Sequence, residues 1–214
     1  YIGHAANELI KISNIFTPAN VIISKPVYYN HKQPFTIGDI KITPFLNDHS
    51  AFDAYSFLIE GERKRLFYSG DFRGHGRKGS LFSSLINSPP KNIDYLMMEG
   101  TNIGRTTKSK SEEDIENELI KTFNEPGKIN LIYQAGQNID RIVSVFKACQ
   151  KTNKILVLDI YLAFIMAKLV KVTGNKLPYP SRKFPQIKVF FSSYASNRMV
   201  KELGKQELYN FQPY

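Results

Sequence analysis

Phe45-Leu46-Asn47-Asp48-His49-Ser50-Ala51-Phe52-Asp53, followed by Leu66-Phe67-Tyr68-Ser69-Gly70-Asp71-Phe72-Arg73, decides the reading of this chain. Between the two lie a strand-like run, Ala54 to Glu60, and a charged turn, Gly61 to Lys64. A hairpin of this kind can bring His49 and Asp71, 22 positions apart, to neighbouring strand ends. Hydrolytic metal sites are often built in this way, with ligands drawn from separate loops and held by a sheet. Each residue also has a structural reading. His49 can be a loop histidine hydrogen-bonded in place, and Asp71 can close an Asx-turn or cap a helix.

Outward from this hairpin the pattern is a mixture of helices and strands. Towards the N-terminus, Ala5, Leu9, Ile12 and Phe16 recur at helical spacing and predict a helix over 4–16. Val21 to Ser24 reads as a strand, and Pro26 to Pro34 as a loop. Phe35 to Phe45 reads as a hairpin turning at Gly38-Asp39, and Gly61 with Glu62 is expected to turn the next one. Beyond Asp71, the loop Arg73-Gly74-His75-Gly76-Arg77-Lys78-Gly79 is rich in glycine and cations, and a short helix over 80–86 precedes Pro89-Pro90.

The run Ile93 to Met98 predicts a buried strand ending at Glu99-Gly100-Thr101-Asn102. Ser111, Glu112, Glu113 and Asp114 form a helix start with a capping-box pattern. Strands at 128–133 and 155–158 alternate with helices at 138–151 and 163–173, then a strand at 188–191 and a short helix at 197–203 follow. This β-α-β-α order implies parallel pairing, so the fold class is α/β. The change of pattern at Pro126-Gly127 sets the expected division into 1–126 and 127–214.

Composition narrows the function. The chain has 214 residues, enough to bury a substantial core, and is 42 % hydrophobic. Its net charge of +10 suits polyanions such as RNA or DNA, although Lys-rich proteins without such partners are common. Cys149 is the one cysteine, so no internal disulfide forms and a reducing, cytoplasmic setting is expected. Cys149 itself reads as helix packing rather than a nucleophile. The longest largely apolar stretch, Ile155 to Val172, is interrupted by Asp159, Lys168 and Lys171 and is too polar for a membrane span.

The segment Thr43 to Arg73, with Asp48-His49-Ser50 and Tyr68-Ser69-Gly70-Asp71, resembles the metallo-β-lactamase fold hydrolases. It is most similar to the branch that includes ribonuclease J and other β-CASP nucleases. Asp94-Tyr95-Leu96-Met97-Met98-Glu99-Gly100-Thr101-Asn102 is similar to the acidic motif that opens the β-CASP region, and Gln137-Asn138-Ile139-Asp140-Arg141 to the start of its first helix. The resemblance implies an αββα sandwich, incomplete here, followed by part of a β-CASP-like α/β domain. It implies two zinc ions, with His49 as a ligand and Asp71 as the bridging and catalytic carboxylate. Glu99 would be the acidic residue that orients a ligand histidine or handles a proton, although a plain strand-end carboxylate explains it too. Ser50, Thr101, Arg73 and Arg141 are the candidate substrate-binding residues. Arg141 can pair with either a carboxylate or a phosphate. His75 can reach a phosphate beside Arg73 and Arg77, although a solvated basic loop is the simpler reading.

The central H-x-H-x-D-H motif of that family is missing, and no histidine follows His75. Two zinc ions need more ligands than His49 and Asp71 supply. The chain also opens on Tyr1-Ile2-Gly3, as if already in progress. The expectation is therefore an internal piece of a zinc-dependent phosphodiesterase or nuclease that uses metal-activated hydroxide on RNA or DNA. By itself the piece is expected to be inactive, and a homodimer is left open. The alternatives are a non-catalytic basic nucleic-acid-binding module and a metallo-hydrolase acting on a small ester, thioester or lactam. Glu99 and the β-α region favour the nuclease over the small-molecule hydrolase.

Overall fold

The computed structural model describes residues 1–17, 20–174 and 176–214, and it is a mixed α/β protein. Strand β1 (Ile2–Gly3) leads directly into α1 (His4–Phe16), which buries Ala5, Leu9, Ile12 and Phe16 as the spacing predicts. The helix has no acidic residue in its first turn and no side-chain cap of its own. Asp53 serves instead, its Oδ2 accepting from the Ala6 amide at 2.9 Å, so a carboxylate sits at the positive end of the helix. Strand β2 (Tyr28–Tyr29) pairs in parallel with β1 inside the expected loop. Val21 to Ser24 forms no strand, and Ile22 is left in solvent.

A five-stranded sheet carries the central motif. Its order is β3 (Phe35–Ile37), β4 (Ile40–Leu46), β5 (Tyr55–Gly61), β6 (Lys64–Tyr68) and β7 (Tyr95–Met97). The first four strands form an antiparallel meander. After α2 (Gly79–Asn87), β7 joins β6 in parallel. The β3–β4 turn is at Gly38-Asp39 as expected, with φ of +57° at Gly38. The β5–β6 turn is one residue later than expected. Gly61 pairs with Lys64, and Glu62 and Arg63 turn with φ of +49° and +61°. Positive φ at both central residues matches the twist of a two-residue hairpin, although Asn-Gly adopts it more readily.

This topology places the site. Strands β4, β6 and β7 run in one direction, because two antiparallel steps separate β4 from β6 and β7 is parallel to β6. Their carboxyl ends therefore share one edge of the sheet, and the loops holding His49, Asp71 and Glu99 all leave from that edge.

The helical part comprises α3 (Glu112–Phe123), α4 (Ile139–Lys151), β8 (Leu156–Asp159), α5 (Ile160–Thr173), β9 (Ile187–Phe190), α6 (Ser193–Leu203) and α7 (Lys205–Tyr209). Both expected helix starts hold. Ser111 accepts from the Asp114 amide in a reciprocal capping box, and Asn138 accepts from the Arg141 amide. Strands β8 and β9 pair in parallel, as the β-α order implies. Their helices bury Ile139, Ile142, Phe164, Met166, Leu169 and Met199 in one core. That core also takes in Ala5, Leu9, Ile12 and Phe16 of α1 and Phe123 of α3, so packing runs across the division expected at 126/127. Cys149 lies in the same core, and burial pushes its thiol up to about 11, which suits packing rather than reactivity. Among the described residues, no helix is long and apolar enough to cross a membrane.

Two expected strands differ from the reading: one forms but is not buried, and the other does not form. Tyr95–Met97 pairs with β6, but Leu96 and Met97, which face opposite sides of the sheet, are 61 % and 53 % exposed. Between α2 and this end of the sheet lies an apolar cavity of about 480 Å³, lined by Phe67, Phe82, Leu85, Leu96 and Met98. Lys128 to Tyr133 forms no strand, and Leu131 is 94 % exposed. Its apolar letters suit a sheet, but no neighbouring strand accepts its backbone. A groove of about 480 Å³ separates it from β8.

Candidate functional site

A small buried polar cluster fixes the strand ends. Asn47, just past β4, donates from Nδ2 to the Ser69 carbonyl at 2.8 Å, and Ser56 Oγ of β5 lies 2.6 Å from the same carbonyl. Ser56 Oγ is also 2.9 Å from Asn47 Oδ1. All three residues are buried, so these bonds are made where water cannot replace them. Ser69 Oγ in turn accepts from the Glu99 amide at 3.1 Å, and Glu99 Oε1 accepts from the Phe72 amide at 3.0 Å. The Asp71 and Glu99 loops are thus tied to each other by reciprocal bonds.

Between Ser69 and Asp71, only glycine fits. Gly70 has φ of +56°, and a Cβ there would lie 2.6 Å from the Tyr55 carbonyl oxygen. This is the physical reason for a glycine immediately before Asp71.

The loops of the three expected chemical residues leave from this edge, and the residues are in different states. Glu99 is held below the usual carboxylate range by the Phe72 amide first and by Thr101 second, with a smaller contribution from the nearby His49. It is an ionised acceptor, suited to orienting a neighbour rather than donating a proton. Asp71 is exposed, and its carboxylate has no hydrogen-bond partner among the described residues, so it is available to a ligand. His49 is half-buried, and its Nδ1 accepts from the Ala51 amide at 3.1 Å. A neutral ring in that bond carries its proton on Nε2, so ligation through Nε2 requires the Ala51 bond to break or the ring to turn.

The residues do not fit a zinc site unaided. Among the described residues no three His, Cys, Asp or Glu side chains are grouped to hold a metal ion. His49 and Asp71 offer two donors, below the three or four protein ligands of zinc centres.

Two expected substrate-binding cations are engaged elsewhere. Arg73 is 13 % exposed and turns inward to three carboxylates: Asp140 at 2.5 Å, and Asp48 and Glu112 at 3.6 Å each. Arg141 makes a two-pronged contact with Glu112, at 3.0 and 3.2 Å. Of the two partners open to Arg141, the structure supplies the carboxylate. Arg77 joins the same seam, pairing with Glu116 and Ser144 and donating its amide to Asp140. Lys78 is also turned inward, donating to the Ala51 and Phe52 carbonyls, and burial lowers its pKa. The glycine-rich basic loop is therefore a structural joint between the sheet and the first turns of α3 and α4. Gly76 belongs to the joint. Its amide donates to Asp48 Oδ2 at 2.7 Å, and a Cβ would lie 2.2 Å from Asp48 Oδ1. Ser50 is half-buried beside His49, and Thr101 is exposed beside Glu99.

Sequence reasoning missed Asp48, Glu112, Glu116, Asp140 and Ser144 as the partners of these cations. The available signal was the acidic start of α3, read as a capping-box helix start. Glu112 and Glu116 are buried, one turn apart on the face of α3 towards α4, and each serves as a counter-ion.

No protein-family model and no curated protein matches the chain. Among solved structures, the crystal structure of a protein of unknown function from Enterococcus faecalis V583 superposes with a TM-score of 0.65 at 21 % identity. The match covers 90 % of this chain and 48 % of that one. At that identity the likeness speaks to fold alone, and the chain spans about half the length of the protein it resembles.

Proposed function

We propose that this chain is part of a zinc-dependent phosphodiesterase of the metallo-β-lactamase fold, β-CASP branch, acting on RNA in the cytoplasm. The observation that carries the reading is that the loops holding His49, Asp71 and Glu99 leave from the shared carboxyl edge of β4, β6 and β7, with the Asp71 and Glu99 loops bound to each other. The five-stranded sheet corresponds to one half of an αββα sandwich, and β8–β9 with its helices to part of the β-CASP region. In this reading His49 and Asp71 are two corners of a dinuclear site, and the other donors come from polypeptide outside these residues. Bound zinc would supply an activated hydroxide. This chain's own contribution is to hold an unpartnered carboxylate at Asp71 and to orient it through Glu99 and Phe72. The net charge of +10 is consistent with a polyanionic substrate.

Titration with Zn²⁺, and with Co²⁺ as a spectroscopic substitute, tests the reading. Weak binding is expected, weakened further in Asp71→Ala and in His49→Ala, with no turnover of RNA. Tight stoichiometric zinc or robust hydrolysis by the 214 residues overturns the partial-site assignment. Binding indifferent to both substitutions overturns the roles of Asp71 and His49.

A further inference from the structure

The cations near the candidate site fall into two sets. Arg73, Arg77, Lys78 and Arg141 face inward to carboxylates or carbonyls and have no charge to offer a ligand. The second set lies on the loop that leaves Glu99. Residues 101–110 are all exposed, and they carry Arg105, Lys108 and Lys110. Lys110 is paired with Glu118 at 2.5 Å, and Lys108 lies near enough to lower the pKa of Asp114, whose carboxylate is engaged with Ser111. Arg105 has no carboxylate partner among the described residues. Its guanidinium donates to Asn102 Oδ1 at 3.0 Å and its amide to the Asn102 carbonyl at 3.1 Å. Those bonds and the one from the Ile103 amide to the Gly100 carbonyl give the loop two consecutive turns immediately beyond Glu99.

We infer that the 101–110 loop, through Arg105 and Lys108, is the phosphate-binding element beside the site, in place of the Arg73–Lys78 loop. Its ligand is the phosphodiester backbone of single-stranded RNA. Arg105 is built for this task, because a guanidinium held on one edge by Asn102 presents its remaining donors to solvent as a planar fork. Thr101 ties the start of the loop to the site by hydrogen-bonding Glu99. The inference rests on the nucleic-acid reading proposed above and deepens it.

The test is the salt dependence of binding, followed by anisotropy with a fluorescent oligouridylate. Each phosphate neutralised on a single strand contributes about 0.7 to the slope of log K against log salt. Arg105→Gln with Lys108→Gln is expected to flatten the slope by about 1.4 and to weaken binding at 0.1 M salt by roughly ten- to thirty-fold. The control is Lys171→Gln with Lys201→Gln, on α5 and α6, which removes the same charge from exposed positions. It is expected to change the slope by less than half as much. An unchanged slope in the loop variant, or an equal loss in the control, overturns this inference while leaving RNA binding in place. No binding by the unaltered chain at low salt overturns the nucleic-acid reading itself.

Discussion

Replacing Arg73 with methionine tests the seam that joins the sheet to the helices. Methionine keeps most of the side-chain volume and removes the charge, leaving Asp48, Glu112 and Asp140 facing one another. These carboxylates are 0 %, 3 % and 9 % exposed, so water cannot take over for the lost guanidinium. Breaking a buried ion pair by removing one partner costs about 3–5 kcal/mol. The lower end applies here, because each carboxylate keeps at least one donor. Glu112 keeps Arg141 and Ser144, Asp140 keeps the Arg77 amide, and Asp48 keeps the Gly76 amide. A loss of about 3 kcal/mol corresponds to a melting temperature lower by roughly 6–12 °C for a domain of this size. The pH dependence carries the sign of the effect. In the unaltered chain burial raises the Glu112 pKa, but bonds from Arg141 and Ser144 and the charge of Arg73 outweigh it and hold the group below 4.5. A carboxylate depressed on folding contributes stability that is full above its unfolded value and is lost as pH falls through its folded one. In Arg73→Met the lost charge lets the Glu112 carboxylate protonate more readily, so the deficit is largest near pH 7 and shrinks towards pH 4. Urea denaturation across that range measures it. A deficit under about 1 kcal/mol at pH 7, or one that widens on acidification, refutes the assignment of Arg73 to a buried ionic joint.

Three further outcomes are expected. Gly70→Ala combines a left-handed backbone with a Cβ 2.6 Å from the Tyr55 carbonyl, so it should cost about 2–3 kcal/mol in chemical denaturation and lower whatever metal affinity Asp71 provides. Glu62→Asn with Arg63→Gly gives the β5–β6 turn residues that tolerate its positive φ, and a gain of about 1 kcal/mol is expected by the same assay. Amides of Ile129 to Tyr133 make no hydrogen bond among the described residues and should exchange with deuterium without protection, whereas α5 should be strongly protected. Protection at 129–133 would show that the segment pairs with β8 in solution.

Elements written in local signals were legible in the sequence. The spacing of Ala5, Leu9, Ile12 and Phe16 gave α1 its buried face, Ser111 with Asp114 gave α3 its start, and Gly38 gave the first hairpin its turn. Each depends on residues a few positions apart. What depended on distant partners was not legible. Arg73 meets Asp140 across 67 positions, and nothing in Gly-Asp-Phe-Arg tells an inward guanidinium from an outward one. Strand letters at 95–97 and 128–133 record an apolar preference without saying which neighbour satisfies it. For the site, Asp71 and Glu99 were visible from their strand-end positions, while the reciprocal bonds through Ser69 and Phe72 that tie them together were not.

The seam and the sheet make opposite use of polarity, and the contrast bears on the site. The charged joint between sheet and helices is nearly complete, with Arg73, Arg77 and Arg141 each matched to carboxylates. The apolar surfaces are not matched. Tyr68 and Met97, neighbours across β6 and β7, are 43 % and 53 % exposed on one face, and Leu96 is uncovered on the other. These side chains leave apolar surface uncovered on both faces of the sheet's edge strand. Tyr68 directly precedes Ser69-Gly70-Asp71, and Met97 lies two residues before Glu99. Polypeptide that buries these side chains would therefore lie against the strand ends from which the Asp71 and Glu99 loops leave. On the proposed metal-site reading, covering the sheet and completing the site would be one structural event, because the exposed apolar side chains and the Asp71 and Glu99 loops leave from the same strand ends.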